Sequence, residues 1–168
     1  MNNKIGIIGL GYVGAPLAYL ASSKGFEVIG IDNNDKAIKK VNERRNIPNK
    51  INPRKILKLK ASKDYSLLRK TEIIIICVPT PTKNNKPDLS ILCNVMEKIY
   101  NHIEKGTLII MESTVAPGMT KHYIADYLEK KKIFMNIDYD LAYCPERIDP
   151  GNKEYWVENI NRVIRSFI

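Results

Sequence analysis

Lys4-Ile5-Gly6-Ile7-Ile8-Gly9-Leu10-Gly11-Tyr12-Val13-Gly14 opens the chain, and a second apolar run from Phe26 to Ile31 ends at Asp32. Residues 4–8 have the composition of a short buried strand. The segment from Ala15 to Lys24 sets Leu17, Ala18 and Ala21 on one face before Gly25 stops it, as a helix would. Three glycines in six residues also occur in ordinary turns. The flanking strand, helix and second strand favour a dinucleotide-binding unit instead, because each glycine then has its own task. Gly9 permits the tight turn out of the strand, Gly11 lets backbone approach a pyrophosphate, and Gly14 lets the helix pack close to the sheet.

The helix that follows offers free N–H groups to phosphate oxygens. Asp32 stands at the end of the second run, about 20 residues on, where a carboxylate accepts hydrogen bonds from the adenosine ribose. That acid favours NAD over NADP, since a 2′-phosphate beside a carboxylate is repelled. Lys36 lies close by in sequence and would soften the preference.

The chain has 168 residues, enough for one domain with a sizeable core and too few for two of ordinary size. The expected division is a dinucleotide-binding domain over residues 1–150 and a tail over 151–168. The longest apolar run, Ile73 to Val78, is far short of a membrane span. The glycine turn interrupts any N-terminal hydrophobic segment before it resembles a signal peptide, so a cytoplasmic location is expected, without a membrane partner. Cys77, Cys93 and Cys144 have no metal-type spacing, and no metal is expected. Reduced thiols suit that compartment, with Cys77 and Cys93 as packing residues. His102 and His122 read as helix-surface residues. The net charge of +9 is concentrated between Lys39 and Lys63, where ten basic residues accompany one acid, Glu43. The stretch carries no aromatic residue to stack on bases, so it reads as a solvated helix and loop rather than a nucleic-acid surface.

Further along, Asp35 to Arg45 is helix-like and Asn46 to Pro53 is a connection. Leu57 to Ala61 suggests a short edge strand, Ser62 to Lys70 a short helix, and Glu72 to Val78 a strand buried on both faces. After a loop to Asp88, that residue caps a helix with Leu92, Val95, Met96, Ile99 and Ile103 inside. A strand over 108–111, a loop over 112–118, a helix carrying Met119, Tyr123, Ile124, Tyr127 and Leu128, and a strand ending at Tyr143 complete the pattern. The alternation predicts an α/β fold: a Rossmann-type doubly wound, mostly parallel sheet with helices on both faces. In such a sheet, ligands lie at the carboxyl ends of the strands, so the loops Gly9–Gly14, Asp32–Asp35, Val78–Thr82, Glu112–Gly118 and Cys144–Gly151 are where chemistry belongs.

Those loops carry GLGYVG, ICVPTPT followed by PDLS, ESTVAPG and YCPERIDPGN, in that order. Together they resemble the UDP-glucose/GDP-mannose dehydrogenase family, and PERIDPGN is more similar to its UDP-N-acetylhexosamine branch (UDP-N-acetylmannosamine, UDP-N-acetylglucosamine) than to the UDP-glucose branch. The resemblance implies oxidation of a sugar C6 alcohol to a carboxylate in two hydride transfers, with NAD as cofactor, a UDP-sugar as substrate and a covalent thioester on a cysteine. It implies that Gly9, Gly11, Tyr12, Val13 and Gly14 meet the pyrophosphate and Asp32 the ribose. Val78, Thr80 and Thr114 would line the nicotinamide side. Thr114 and Glu146 would be the catalytic pair, positioning the water that hydrolyses the thioester, although a surface salt bridge is the plainer use of a glutamate such as Glu146.

The family's nucleophilic cysteine, catalytic lysine and asparagine, and a final aspartate belong to a central helix and carboxyl-terminal domain that have no counterpart in these 168 residues. Cys144 lacks the glycine-rich surround of that nucleophile. Arg162-Val163-Ile164 resembles a family strand that glycines normally follow, yet Arg165-Ser166-Phe167-Ile168 stands there. The expectation is a shortened or frameshifted product, inactive alone, which a polypeptide carrying the missing half could complete. The rival readings are a non-catalytic nucleotide-binding or interaction module and a decayed remnant.

Overall fold

The protein is described by a computed structural model over residues 3–147 and 157–167. Strands β1 (Lys4–Ile8), β2 (Glu27–Ile31), β3 (Leu59–Ser62), β4 (Ile73–Ile76), β5 (Thr82–Lys83), β6 (Lys86–Pro87), β7 (Thr107–Met111), β8 (Tyr139–Tyr143) and β9 (Arg165–Ser166) alternate with helices α1 (Gly14–Ser23), α2 (Asp35–Asn42), α3 (Ser90–Ile99) and α4 (Asp126–Lys130). The main sheet runs β3-β2-β1-β4-β7-β8-β9, parallel except for β9 against β8. From β1 the chain steps outward to β3, then returns to place β4 on the other side of β1. That reversal between neighbouring strands is the switch point at which doubly wound sheets open a crevice.

The expected doubly wound fold is therefore present, with a core on each face. On one face Ile5, Ile7 and Ile75 pack against Ala18 and Tyr19 of α1 and Val41 of α2. On the other, Ile8, Ile31, Ile74 and Ile76 pack against Leu92, Val95, Met96 and Ile99 of α3 and Leu128 of α4. The isoleucine run of β4 is buried because the odd and even side chains each have a helical layer to enter.

Several boundaries differ from the sequence expectation. Helix α2 stops at Asn42 rather than Arg45, and Arg44 and Asn46 take positive φ of 57° in the turn that follows. Strand β3 starts at Leu59, leaving Leu57 78% exposed. The segment 62–70 holds only a 3-10 turn, Tyr65–Leu68. A π-helical turn, Lys121–Ala125, leads into α4. Asp88 sits one residue outside the assigned cap of α3, yet its Oδ1 still accepts the Ser90 N–H at 3.0 Å. The hairpin β5–β6 and the edge strand β9 are too short for hydrophobic periodicity to announce. Cys93 is a correction: it is exposed rather than packed, because the inward stripe of α3 is Leu92, Val95, Met96 and Ile99. The expected boundary at residue 150 lies outside the described residues.

Candidate functional site

The glycine turn lies at the switch point. The Gly9 N–H donates to the Ile31 carbonyl at 2.8 Å, and the Cys77 N–H donates to the Ile8 carbonyl at 2.8 Å, so the exits of β1, β2 and β4 are tied together. Gly9 has φ +92°, and a Cβ there would meet the Cys77 carbonyl oxygen at 2.8 Å. A Cβ at Gly14 would overlap the Gly9 carbonyl oxygen itself. Nothing lies within 4 Å of a Cβ placed on Gly11, so the outer side of the turn is open to approach.

Asp32 is held from both sides. Its Oδ2 accepts the Leu10 N–H at 2.7 Å and its Oδ1 accepts the Asn34 N–H at 2.8 Å. Each oxygen keeps a second lone-pair direction for a ligand hydroxyl. The carboxylate lines a cleft of about 500 Å³ together with Ile8, Gly9, Ile31, Val78 and Pro79. The same cleft is lined by residues that sequence reasoning missed: Tyr65, Ser90, Asn94 and Lys98. The Lys98 ammonium stands 5.2 Å from the centre of the Tyr65 ring, and burial first, then the charge of Asp32, pushes the Tyr65 hydroxyl pKa up. Ser90, Asn94 and Lys98 recur every four residues on α3 beside its apolar stripe, which is a signal the sequence does contain.

Tyr12 and Lys36 do not line this cleft. With Gly11, Lys40 and Arg45 they border a second groove of about 550 Å³ on the other side of the turn, and Tyr12 is 84% exposed. Gly9 borders the first cleft and Gly11 the second, so the turn separates the two.

At the far end of the strand tips the contacts change character. Thr80 donates from Oγ1 to the Thr114 carbonyl at 2.7 Å, and Ser113 donates from Oγ to the Val78 carbonyl at 2.6 Å, which fastens the loop after β7 to the loop after β4. Met111 pairs with Tyr143 across β7 and β8. Thr114 and Glu146 each follow that pair by three residues, so parallel register carries both to the same edge. Glu146 does make a salt bridge, though a half-buried one: Arg162 Nη2 reaches its Oε2 at 3.2 Å, while Arg162 Nη1 lies 2.5 Å from Glu112 Oε1. Burial raises the Glu112 carboxyl pKa, and Arg162 only partly opposes it. The Cys77 thiol, 3.4 Å from Glu112 Oε2, is raised well above its usual value by burial and then by Glu112. Cys144, 2% exposed, is raised by burial too, so neither thiol is a ready nucleophile. Glu112 and Arg162 were not anticipated as site residues. Residues 148–152 of the YCPERIDPGN segment lie outside the described residues.

Residues 3–166 match the UDP-glucose/GDP-mannose dehydrogenase family, NAD binding domain. The chain belongs to that family. Among curated relatives, Protein CapL of Staphylococcus aureus is 37% identical over 98% of this chain and 39% of its own length. The UDP-N-acetyl-D-mannosamine dehydrogenase of Methanocaldococcus jannaschii gives the same figures, 37%, 98% and 39%. The solved UDP-D-ManNAc dehydrogenase of Pyrococcus horikoshii superposes with a TM-score of 0.84 at 33% identity, covering 97% of this chain and 41% of that one. The chain thus spans about two-fifths of the length of these relatives and matches their NAD-binding part. The cofactor of this domain family is NAD, and the residues present fit it. The approach over Gly11 is open, the first turn of α1 carries no side-chain cap, and a carboxylate stands fixed beside the turn. Among the described residues no helix is long and apolar enough to cross a membrane.

Proposed function

We propose that this chain is the NAD-binding portion of a nucleotide-sugar 6-dehydrogenase, and that its substrate is a UDP-N-acetylhexosamine, UDP-N-acetyl-D-mannosamine or UDP-N-acetylglucosamine. The reaction oxidises the sugar C6 alcohol to a carboxylate and needs further polypeptide to complete the active site. The observation that carries this reading is the Asp32 carboxylate, tied to the glycine turn by the Leu10 N–H at 2.7 Å beside an open Gly11. Asp32 receives the ribose hydroxyls, Gly9, Gly11, Val13 and Gly14 with the start of α1 receive the pyrophosphate, and Tyr12 and Lys36 flank it from the second groove. Bound NAD+ supplies the hydride acceptor.

Val78, Thr80 and Thr114 shape the nicotinamide end. Thr114 and Glu146, at the tips of adjacent strands, hold a water between hydroxyl and carboxylate, and Glu146 takes its proton when that water attacks an acyl intermediate. Residues 1–150 form the cofactor domain, and 151–168 lead toward the substrate-binding remainder. A cytoplasmic setting follows from the use of NAD and a nucleotide sugar.

Calorimetric titration of the chain with NAD+ and with NADP+ tests the reading. Saturable NAD+ binding, weaker NADP+ binding, and a loss of at least about tenfold in affinity on Asp32→Ala are expected, because a charge-assisted hydrogen bond contributes about 1.5–3 kcal/mol. No NAD+ binding overturns it. Mixing the chain with the remainder of a family member and following NADH absorbance with UDP-N-acetylmannosamine tests the completion by a second polypeptide. NAD+ binding without turnover in any such mixture favours a non-catalytic nucleotide-binding module.

A further inference from the structure

Beyond the tips of β7 and β8, three charged side chains that are distant in sequence converge on one half-buried point. Arg162 comes from the segment just before β9, Glu112 from the residue after β7, and Glu146 from the loop after β8. Their side chains are 18%, 5% and 11% exposed. The guanidinium is used as a fork: Nη1 reaches Glu112 Oε1 at 2.5 Å and Nη2 reaches Glu146 Oε2 at 3.2 Å. Each carboxylate has a separate partner for its other oxygen. Glu112 Oε2 lies 3.4 Å from the Cys77 thiol, and Glu146 Oε1 accepts the Arg147 N–H at 2.6 Å.

We propose that Arg162 is a positioning residue for the reaction, fixing the orientation of the Glu146 carboxylate and setting a positive charge beside it while the buried Glu112 anchors the other prong of the fork. The proposal rests on the reading of Glu146 as the water-activating base. Among the described residues, the groups facing the cluster include Cys77 beyond β4, Glu112 beyond β7, Cys144, Glu146 and Arg147 beyond β8, and Arg162 itself. Both thiols are raised by burial and stay neutral near pH 7. Arg162 is a cation whose two prongs bridge both carboxylates. Removing it takes one positive charge away from two neighbouring carboxylates in a half-buried site, and losing an adjacent opposite charge lets such a pair hold a proton to higher pH. A protonated Glu146 cannot take a proton from water. Lysine in place of arginine keeps the charge but presents a point rather than a planar fork, so it serves one carboxylate well and the other poorly.

The test uses the chain itself, labelled with 13C at the glutamate carboxyl carbons and titrated by NMR. Signals are assigned with Glu112→Gln and Glu146→Gln. Relative to the unsubstituted chain, Arg162→Met moves the apparent midpoint of the Glu112–Glu146 pair upward by at least about one pH unit. Arg162→Lys moves it by less, and adding Glu112→Gln to Arg162→Met returns Glu146 toward its starting midpoint. Unchanged midpoints in a folded Arg162→Met chain overturn the proposal. If that variant does not fold, Arg162→Lys decides, and an unmoved midpoint there overturns it equally. The titration needs neither NAD nor sugar, so failure of NAD+ binding sinks the dehydrogenase reading on separate grounds. An unmoved midpoint with NAD+ binding intact sinks only the role of Arg162.

Discussion

The two ends of the row of strand tips achieve rigidity by opposite means. Around Asp32, the fixed elements are backbone: a glycine turn against the exit of β4, and a carboxylate held by two amide N–H groups. Around Glu146, the fixed elements are side chains: a guanidinium between two carboxylates whose residues lie 16 and 50 positions away. Backbone donors survive substitution by any residue but proline, so the Asp32 end holds its carboxylate by groups independent of neighbouring side chains and keeps an open face over Gly11. The Glu146 end depends on charge pairing in a half-buried space, where removing Arg162 takes one opposite charge from both carboxylates. Binding a cofactor needs only the first kind of order. Under the proposed reading of Glu146, moving a proton needs the second, since a base must be placed and oriented beside the water it serves.

The sharpest way to break the comparison is at the glycines. Gly14→Val places atoms where the Gly9 carbonyl oxygen lies, and should cost about 3 kcal/mol or more in denaturant unfolding, whereas Gly11→Ala meets open space and should leave stability within about 0.5 kcal/mol. Equal losses for the two would mean that the turn is not defined by backbone approach. At the other end, Arg162→Met should cost about 3 kcal/mol at neutral pH, the low end for a broken buried pair because Arg162 keeps some solvent. A loss below about 0.5 kcal/mol would reduce the cluster to an ordinary surface contact.

Glu112 gives a smaller, pH-dependent effect. Its folded carboxyl is raised above the usual 4.5 by burial, so as pH climbs past 4.5 the unfolded chain releases this proton first. The folded state then binds more protons than the unfolded, and the contribution of Glu112 to stability is full in acid and falls as pH rises through its folded pKa. Unfolding curves of the chain and of Glu112→Gln should therefore show a stability difference that declines with rising pH from about 4.5 upward. A flat difference would contradict the burial argument. The smallest effect belongs to Tyr12, whose exposure predicts a change within about 0.5 kcal/mol on Tyr12→Ala by the same unfolding measurement.

The uneven legibility of the two ends follows from the range of their interactions. Strands β1, β2 and β4 and helices α1 and α3 were readable because runs such as Ile73–Ile76 and the stripe Leu92, Val95, Met96, Ile99 encode burial at a fixed period. Short or strained pieces were not. The 3-10 turn Tyr65–Leu68, the π turn Lys121–Ala125 and the two-residue strands β5, β6 and β9 contain too few residues to repeat a pattern. Exposed Cys93 was misjudged because residue type was weighed above its angle on the helix.

By itself the sequence determined the doubly wound sheet, the glycine turn and the partnership of that turn with Asp32, because these rest on local backbone geometry and on periods of two and of about 3.6 residues. Only the tertiary structure decided that Tyr65 and Lys98 line one cleft with Asp32, that Tyr12 and Lys36 border a second groove, and that Arg162 joins Glu112 to Glu146. The physical reason is that a charge or hydroxyl carries no periodic trace of its partner. Its neighbour is chosen by sheet order and register, which bring the tips of β4, β7 and β8 together however far apart they lie along the chain.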